Sequence, residues 1–143
     1  MLHPLYSPQL LRLAAEAAGA GTIGPDETRV TCVNPVCGDR IDMAVALGNH
    51  ALTRLTYEIA ACVICQASAS ALGAHAVGRS FQEIAALHDQ VDAMLKAGGP
   101  LPGAPFSGFE ILRPVAGEPA RHNCVLLPFT ALAEALERFG KKA

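Results

Sequence analysis

Residues 40–58 read RIDMAVALGNHALTRLTYE, and this stretch decides the fold. Apolar side chains recur at every second position from Ile41 to Leu47, and a second alternating run extends from Ala51 to Glu58. A period of two is typical of a strand that buries one face. The Gly48-Asn49 pair between the two runs is a turn signal, so we predict a β-hairpin here.

A further strand and several helices surround this hairpin in the sequence. The run from Arg29 to Val33 is joined to the hairpin by the turn-forming segment 34–39, which completes a three-stranded antiparallel meander. Helices are predicted after the capping residue Ser7, from Val63 to His75, after the Ser80/Glu83 capping box, and in two final segments interrupted by Pro128. This order indicates a single α+β domain over residues 1–143, a small meander packed against several helices.

Composition narrows the class of protein. The chain has 143 residues, of which 51% are hydrophobic and 17% charged, and its net charge is −2. These values exclude a disordered chain, and the lack of a basic excess argues against a nucleic-acid-binding module. The longest apolar run, from Ile59 to Cys65, is too short to span a membrane, and residues 1–5 lack the pattern of a secretory signal. We therefore expect a cytoplasmic protein that binds neither nucleic acid nor membrane.

The five cysteines are the most informative residues. An odd number of them in a reducing compartment favours metal binding, catalysis or burial over disulfides. Cys37 and Asp39 stand two residues apart in segment 34–39, so their side chains point to the same side of an extended loop. A thiolate and a carboxylate are both zinc ligands. The alternative interpretation is an ordinary β-turn that contains an incidental cysteine.

Two more segments bring thiols to the ends of helices. Cys62 lies between a strand and a helix, and with Cys65 it forms a C-x-x-C pair, typical of a metal knuckle or a redox pair. Because no second pair exists, Cys65 is expected to be a core residue. Arg121 and His122 precede Cys124 and would favour its thiolate, although inward packing of Cys124 and a solvated surface histidine are the plain alternatives.

Together, Cys37, Asp39, Cys62 and Cys124 supply as many ligands as tetrahedral zinc takes. They come from three separate segments of the chain, so a shared ion would cross-link the meander to the helices.

Three motifs resemble the IscU/NifU-type scaffold family of iron–sulfur cluster assembly. They are NPVCGD at 34–39, CVICQASAS at 62–70 and PARHNCVLLPF at 119–129, and the resemblance extends from Tyr6 to Leu136. An extra helix-and-loop insertion after Cys62, with an arginine three residues before Cys124, is most similar to the SufU branch. The resemblance implies a SufE/NifU-like fold of the kind predicted above.

For function, the resemblance implies a zinc-dependent sulfurtransferase that holds Zn²⁺ with Cys37, Asp39, Cys62 and Cys124. Cys37 would accept persulfide sulfur from a SufS-type cysteine desulfurase, with Arg121 near the site, and other SUF components or apo iron–sulfur proteins would be further partners. The first alternative is a scaffold that assembles a [2Fe–2S] cluster on the same four residues. The second is a structural zinc module without turnover.

The chain also departs from the family pattern. Ile59-Ala60-Ala61 precedes Cys62 where the family has a G-x-G stretch, and Asn123 stands where IscU-type proteins have histidine. Cys65 replaces a family serine. A fourth thiol at that position could compete as a ligand or carry a persulfide.

Overall fold

The computed structural model describes residues 5–103 and 106–140. The Pro- and Gly-rich sequence at 101–107 predicts a loop, and part of that loop lies outside the described residues. Its elements, in chain order, are α1 (Pro8–Glu16), β1 (Val30–Val33), β2 (Arg40–Gly48), β3 (Ala51–Ala60), α2 (Val63–His75), α3 (Phe81–Lys96) and α4 (His122–Gly140). Two 3₁₀ segments, Ser107–Gly117 and Pro119–Arg121, connect α3 to α4. The predicted α+β class is confirmed.

The sheet is the predicted antiparallel meander, with strand order β1-β2-β3. Its hairpin turn lies one residue later than the Gly48-Asn49 pair that the sequence indicated. Asn49 and His50 carry positive φ angles of 53° and 61°, the conformation of a two-residue turn whose twist matches that of the strands. Asparagine tolerates this conformation well, and His50 adopts it as the second central residue.

A bulge in β3 explains why the burial pattern departs from strict alternation. Leu47 pairs with Leu52, whereas Ala46 pairs with Arg54, so Thr53 is an extra residue on β3. The extra residue reverses the alternation on one side of the bulge. Leu52 is therefore fully buried, although strict alternation would put it on the same face as Arg54 and Glu58.

Helix α2 is the centre of the helical layer and packs between α1 and α4. Its small side chains allow this close packing, and its two buried serines are both satisfied: Ser68 Oγ donates to Val125 O at 2.6 Å, and Ser70 Oγ accepts from Ala18 N at 3.2 Å. Gly73 packs against Ala18, the residue that donates to Ser70, since a Cβ added at Gly73 would lie 1.8 Å from Ala18 O. No larger residue fits at this crossing without displacing the chain.

Helix α4 runs from His122 to Gly140 without a break, so the predicted interruption at Pro128 was wrong. Proline removes the backbone donor that would bond the carbonyl of Cys124, four residues earlier. The helix tolerates this loss because its apolar face is buried against α2 and the sheet. Among the described residues, no helix has both the length and the apolar character needed to cross a bilayer.

The close approach at Gly73 gives a stability prediction. Gly73→Ala places a methyl group against Ala18 O and should lower the free energy of unfolding by about 2 kcal/mol, even though alanine is the better helix former. Gly117→Ala is the matched control, because a Cβ there meets nothing within 4 Å. Urea denaturation of the three proteins measures the difference, and equal midpoints for Gly73→Ala and the parent would contradict the assignment.

Candidate metal centre

The register of the sheet brings two site residues together. Arg40, the first residue of β2, pairs with Ala60, the last residue of β3, so Asp39 and Cys62 lie at the same end of these two strands. The backbone N–H of Cys62 donates to Asp39 Oδ1 at 3.0 Å, and Asp39 is buried with 5% of its surface exposed. This hydrogen bond joins the loop before β2 to the start of α2.

A tight turn presents Cys37 at the tip of that loop. Asn34 is buried, and its side-chain oxygen accepts from the backbone N–H of Val36 at 3.1 Å. The backbone of Asn34 closes the loop, since its N–H donates to Asp39 O and its carbonyl accepts from Gly38 N, both at 2.8 Å. Gly38 has a φ of 77°, which glycine adopts without strain. Cys37 is consequently exposed while Asp39 turns inward.

Three of the four predicted ligands form one compact group. The Sγ atoms of Cys37 and Cys124 and a carboxylate oxygen of Asp39 all lie within 4.8 Å of one another. Cys124 reaches the group from the first turn of α4 and is buried, whereas Cys37 closes it from the solvent side. The loop before β2 and helix α4, which are far apart in sequence, thus each place a thiol next to the Asp39 carboxylate.

The fourth predicted ligand, Cys62, lies beside this group and is not one of its members. It is the N-cap residue of α2, is partly exposed, and makes no side-chain capping bond. Its thiol nevertheless contacts both Asp39 and Cys124.

The electrostatics of the group suit a cation. Burial raises the pKa of Asp39, but contacts with the thiols of Cys37, Cys62 and Cys124 and with the amide of Cys62 outweigh it, so the pKa lies below its usual value. Burial, followed by the nearby Cys62 thiol, raises the pKa of Cys124. Without a cation, these directions favour a carboxylate on Asp39 beside a neutral thiol on Cys124, and a metal ion would displace that thiol proton.

One buried atom tests whether a metal fits. Asp39 Oδ2 is buried and has no hydrogen-bond partner in the part of the chain that the structure describes. A buried carboxylate oxygen without a donor costs free energy, and a coordinated cation removes that cost. The thiols of Cys37 and Cys124 lie in the group with Asp39, and the thiol of Cys62 lies beside it. Three thiols and a carboxylate are a set of ligands that zinc accepts. The residues present therefore fit a zinc ion.

Arg121 and His122 have different surroundings, although they are adjacent in sequence. Interactions with Tyr6 and with the Cys124 thiol raise the pKa of Arg121, which places its guanidinium beside the site. The sequence contains no signal for Tyr6, because only folding brings it near Arg121. His122 is buried, with Nε2 3.0 Å from Ala116 O. The surface-histidine interpretation was therefore wrong.

The remaining two cysteines lie outside the group. Cys32 donates its thiol hydrogen bond to Glu134 at 3.3 Å, and burial raises its pKa to about 11. Cys65 is completely buried in α2, as expected for a core residue. Burial, followed by the charge of Asp39, raises its pKa.

Comparisons with known proteins identify the family and the fold of the chain. The family described as "NifU-like N terminal domain" matches residues 5–143. The crystal structure of the N-terminal part of a nitrogen-fixing NifU-like protein from Brucella abortus superposes with a TM-score of 0.90 at 27% identity, covering 97% of this chain and 96% of that one.

A second solved structure has the same fold at lower identity. It is a candidate iron–sulfur cluster assembly scaffold protein for the SUF system of Fervidobacterium islandicum AW-1, with a TM-score of 0.82 and 22% identity over 95% of this chain and 99% of that one. No curated protein sequence matches the chain.

Because Asp39 Oδ2 has no hydrogen-bond partner among the described residues, we predict that removal of a bound metal destabilises the fold. Chelation to complete loss of bound metal should lower the melting temperature by at least about 5 °C, because it leaves the buried carboxylate unsatisfied and releases the cross-link between loop and helix. Calorimetry with metal analysis measures this shift. Asp39→Ala is the matched variant, in which chelation should change the melting temperature much less. Identical melting of the loaded and stripped parent would refute the coupling.

Proposed function

Since the chain belongs to the family of NifU-like N-terminal domains, an iron–sulfur cluster assembly scaffold family, we propose that it serves that assembly as a zinc-dependent sulfurtransferase. Cys37, Asp39, Cys62 and Cys124 hold the zinc ion, and Cys37 accepts persulfide sulfur from a SufS-type cysteine desulfurase. The recipients are apo iron–sulfur proteins or other SUF components in the cytoplasm.

The compactness of the thiol–carboxylate group is the observation that carries this proposal. Zinc–ligand bonds of about 2.0–2.3 Å place tetrahedral ligands about 3.5–3.8 Å apart, so atoms already within 4.8 Å of one another need only a small contraction. A [2Fe–2S] cluster divides its ligands between two irons, which spreads them over a longer distance. The group therefore favours a single ion over the cluster that a scaffold would assemble.

Exposure decides which thiol accepts sulfur. Cys37 is exposed at the loop tip, whereas Cys124 is buried and Cys62 is only partly exposed. When bound, zinc keeps its thiol ligands deprotonated near neutral pH and undergoes no redox change of its own. The Cys37 thiolate attacks the terminal sulfur of the desulfurase persulfide, the S–S bond breaks, and the desulfurase cysteine leaves as a thiolate. Arg121 supplies positive charge beside the thiolates.

The surface around Cys37 supports contact with a protein donor. Val36, its neighbour in the chain, is 89% exposed, and Val33 at the end of β1 is 52% exposed. Large apolar side chains this exposed beside a reactive thiol favour docking of a partner protein. The positive φ of Gly38 gives the loop a pivot next to the thiol that must be presented.

Metal content distinguishes the zinc proposal from the cluster alternative. We expect about one zinc ion per chain in protein purified anaerobically, and a colourless solution, because zinc has no d–d transitions. Elemental analysis and an absorption spectrum provide the measurement. Stoichiometric iron with visible cluster absorption would instead establish the scaffold function.

Loss of the acceptor thiol gives the functional test. Cys37→Ala should abolish stimulation of a cysteine desulfurase and the appearance of labelled sulfur on this chain, because no other ligand thiol is as exposed. Cys32→Ala is the matched control, since Cys32 is bonded to Glu134 away from the site. Undiminished stimulation by Cys37→Ala would exclude the acceptor role and leave a structural zinc module.

A further inference from the structure

Cys62 and Cys65 lie three residues apart at the N-terminal end of α2. Cys62 is the N-cap residue and Cys65 is the third residue of the helix. At the same two positions of α3, the side chain of Ser80 lies 3.1 Å from the backbone N–H of Glu83. The N-cap and the third residue of a helix are therefore close enough for their atoms to contact one another, and Cys62 makes no capping bond that would occupy its thiol.

The two thiols differ in access. Cys62 is partly exposed and contacts Asp39, whereas Cys65 is completely buried. An outside thiol or persulfide can reach Cys62 but cannot reach Cys65 without opening the core. This combination, an accessible first cysteine and a buried second one at the start of a helix, is the arrangement of a reactive pair whose second member resolves the first.

Resting on the function proposed above, we propose that Cys62 and Cys65 act as an internal dithiol that reduces the sulfur received on Cys37 and releases it as sulfide. The carboxylate of Asp39 has an oxygen within 4.8 Å of Cys37 Sγ and accepts from the backbone N–H of Cys62 at 3.0 Å, so both cysteines lie next to it. Sulfur therefore passes between these two cysteines over a short distance. Cys62 is also the thiol that lies beside the compact group, so it is the ligand whose departure disturbs the group least.

The reaction balances in two steps. First, the Cys62 thiolate attacks the terminal sulfur of the Cys37 persulfide, which leaves a Cys37 thiolate and a persulfide on Cys62. Second, the Cys65 sulfur attacks Cys62 Sγ, a Cys62–Cys65 disulfide forms, and the terminal sulfur departs with its bonding electrons as hydrogen sulfide, taking the Cys65 proton. Cys65 sulfur is oxidised and the departing sulfur is reduced. A dithiol reductant must then reopen the disulfide before the next cycle.

The test follows one round of sulfur release from the full chain with its zinc. The protein is loaded with inorganic polysulfide, freed of excess reagent and kept without any external thiol. Released sulfide is measured over time, and peptide mass spectrometry locates the added sulfur and any disulfide. The variants are Cys65→Ser, Cys65→Ala as a second replacement that avoids a buried hydroxyl, and Cys32→Ser as a matched cysteine control. The melting temperature of each variant verifies its fold.

We expect the parent and Cys32→Ser to release sulfide while a Cys62–Cys65 disulfide accumulates in equal amount. Both Cys65 variants should load sulfur on Cys37 as the parent does, yet release it at least about tenfold more slowly. Equal release by parent and Cys65 variants, or a disulfide between Cys37 and Cys62, would overturn the inference while leaving the acceptor function intact. Failure of the parent to carry sulfur on Cys37 would overturn the proposed function and the inference together.

Discussion

The hydrogen bond from the backbone of Cys62 to Asp39 is the constraint on which the site depends. It links the loop before β2 to the first turn of α2 and satisfies one oxygen of a buried carboxylate. The other oxygen is left without a partner among the described residues and faces the thiols. A buried anion in this condition is stable only when a cation or protons share the site.

Different parts of the fold hold this carboxylate in place. The pairing of β2 with β3 determines where Asp39 lies along the strands, and the turn closed by Asn34 determines which way the Asp39 side chain points. Helix α4 contributes Cys124, while the small residues of α2 allow α1 and α4 to pack closely against it. Core packing and metal chemistry are therefore coupled, since displacement of any of these elements moves a ligand.

The sequence predicted much of this arrangement because its signals are local. Alternation predicted the meander, and the Ser80 capping box predicted the start of α3. Three features could not be predicted, because each depends on packing between distant segments. They are the bulge that turns Leu52 to the buried face, the continuity of α4 through Pro128 and the burial of His122. Long-range burial overrides local turn and breaker signals in each of these places.

For the site, residue types and loop positions sufficed to select the four candidate ligands, but they could not separate Cys62 from the other three. That difference arises because Cys62 caps a helix while its neighbours come from a turn and a second helix. The same capping position places Cys62 three residues before the buried Cys65 at the start of α2, so one local feature affects both the metal site and the proposed release of sulfur.

X-ray absorption spectroscopy at the zinc edge of the purified protein tests the central claim most directly. The account predicts three sulfur ligands at about 2.3 Å and one oxygen ligand at about 2.0–2.2 Å, with the oxygen lost in Asp39→Ala. Four sulfur ligands would mean that Cys65 replaces the carboxylate. That result would contradict a site built around Asp39.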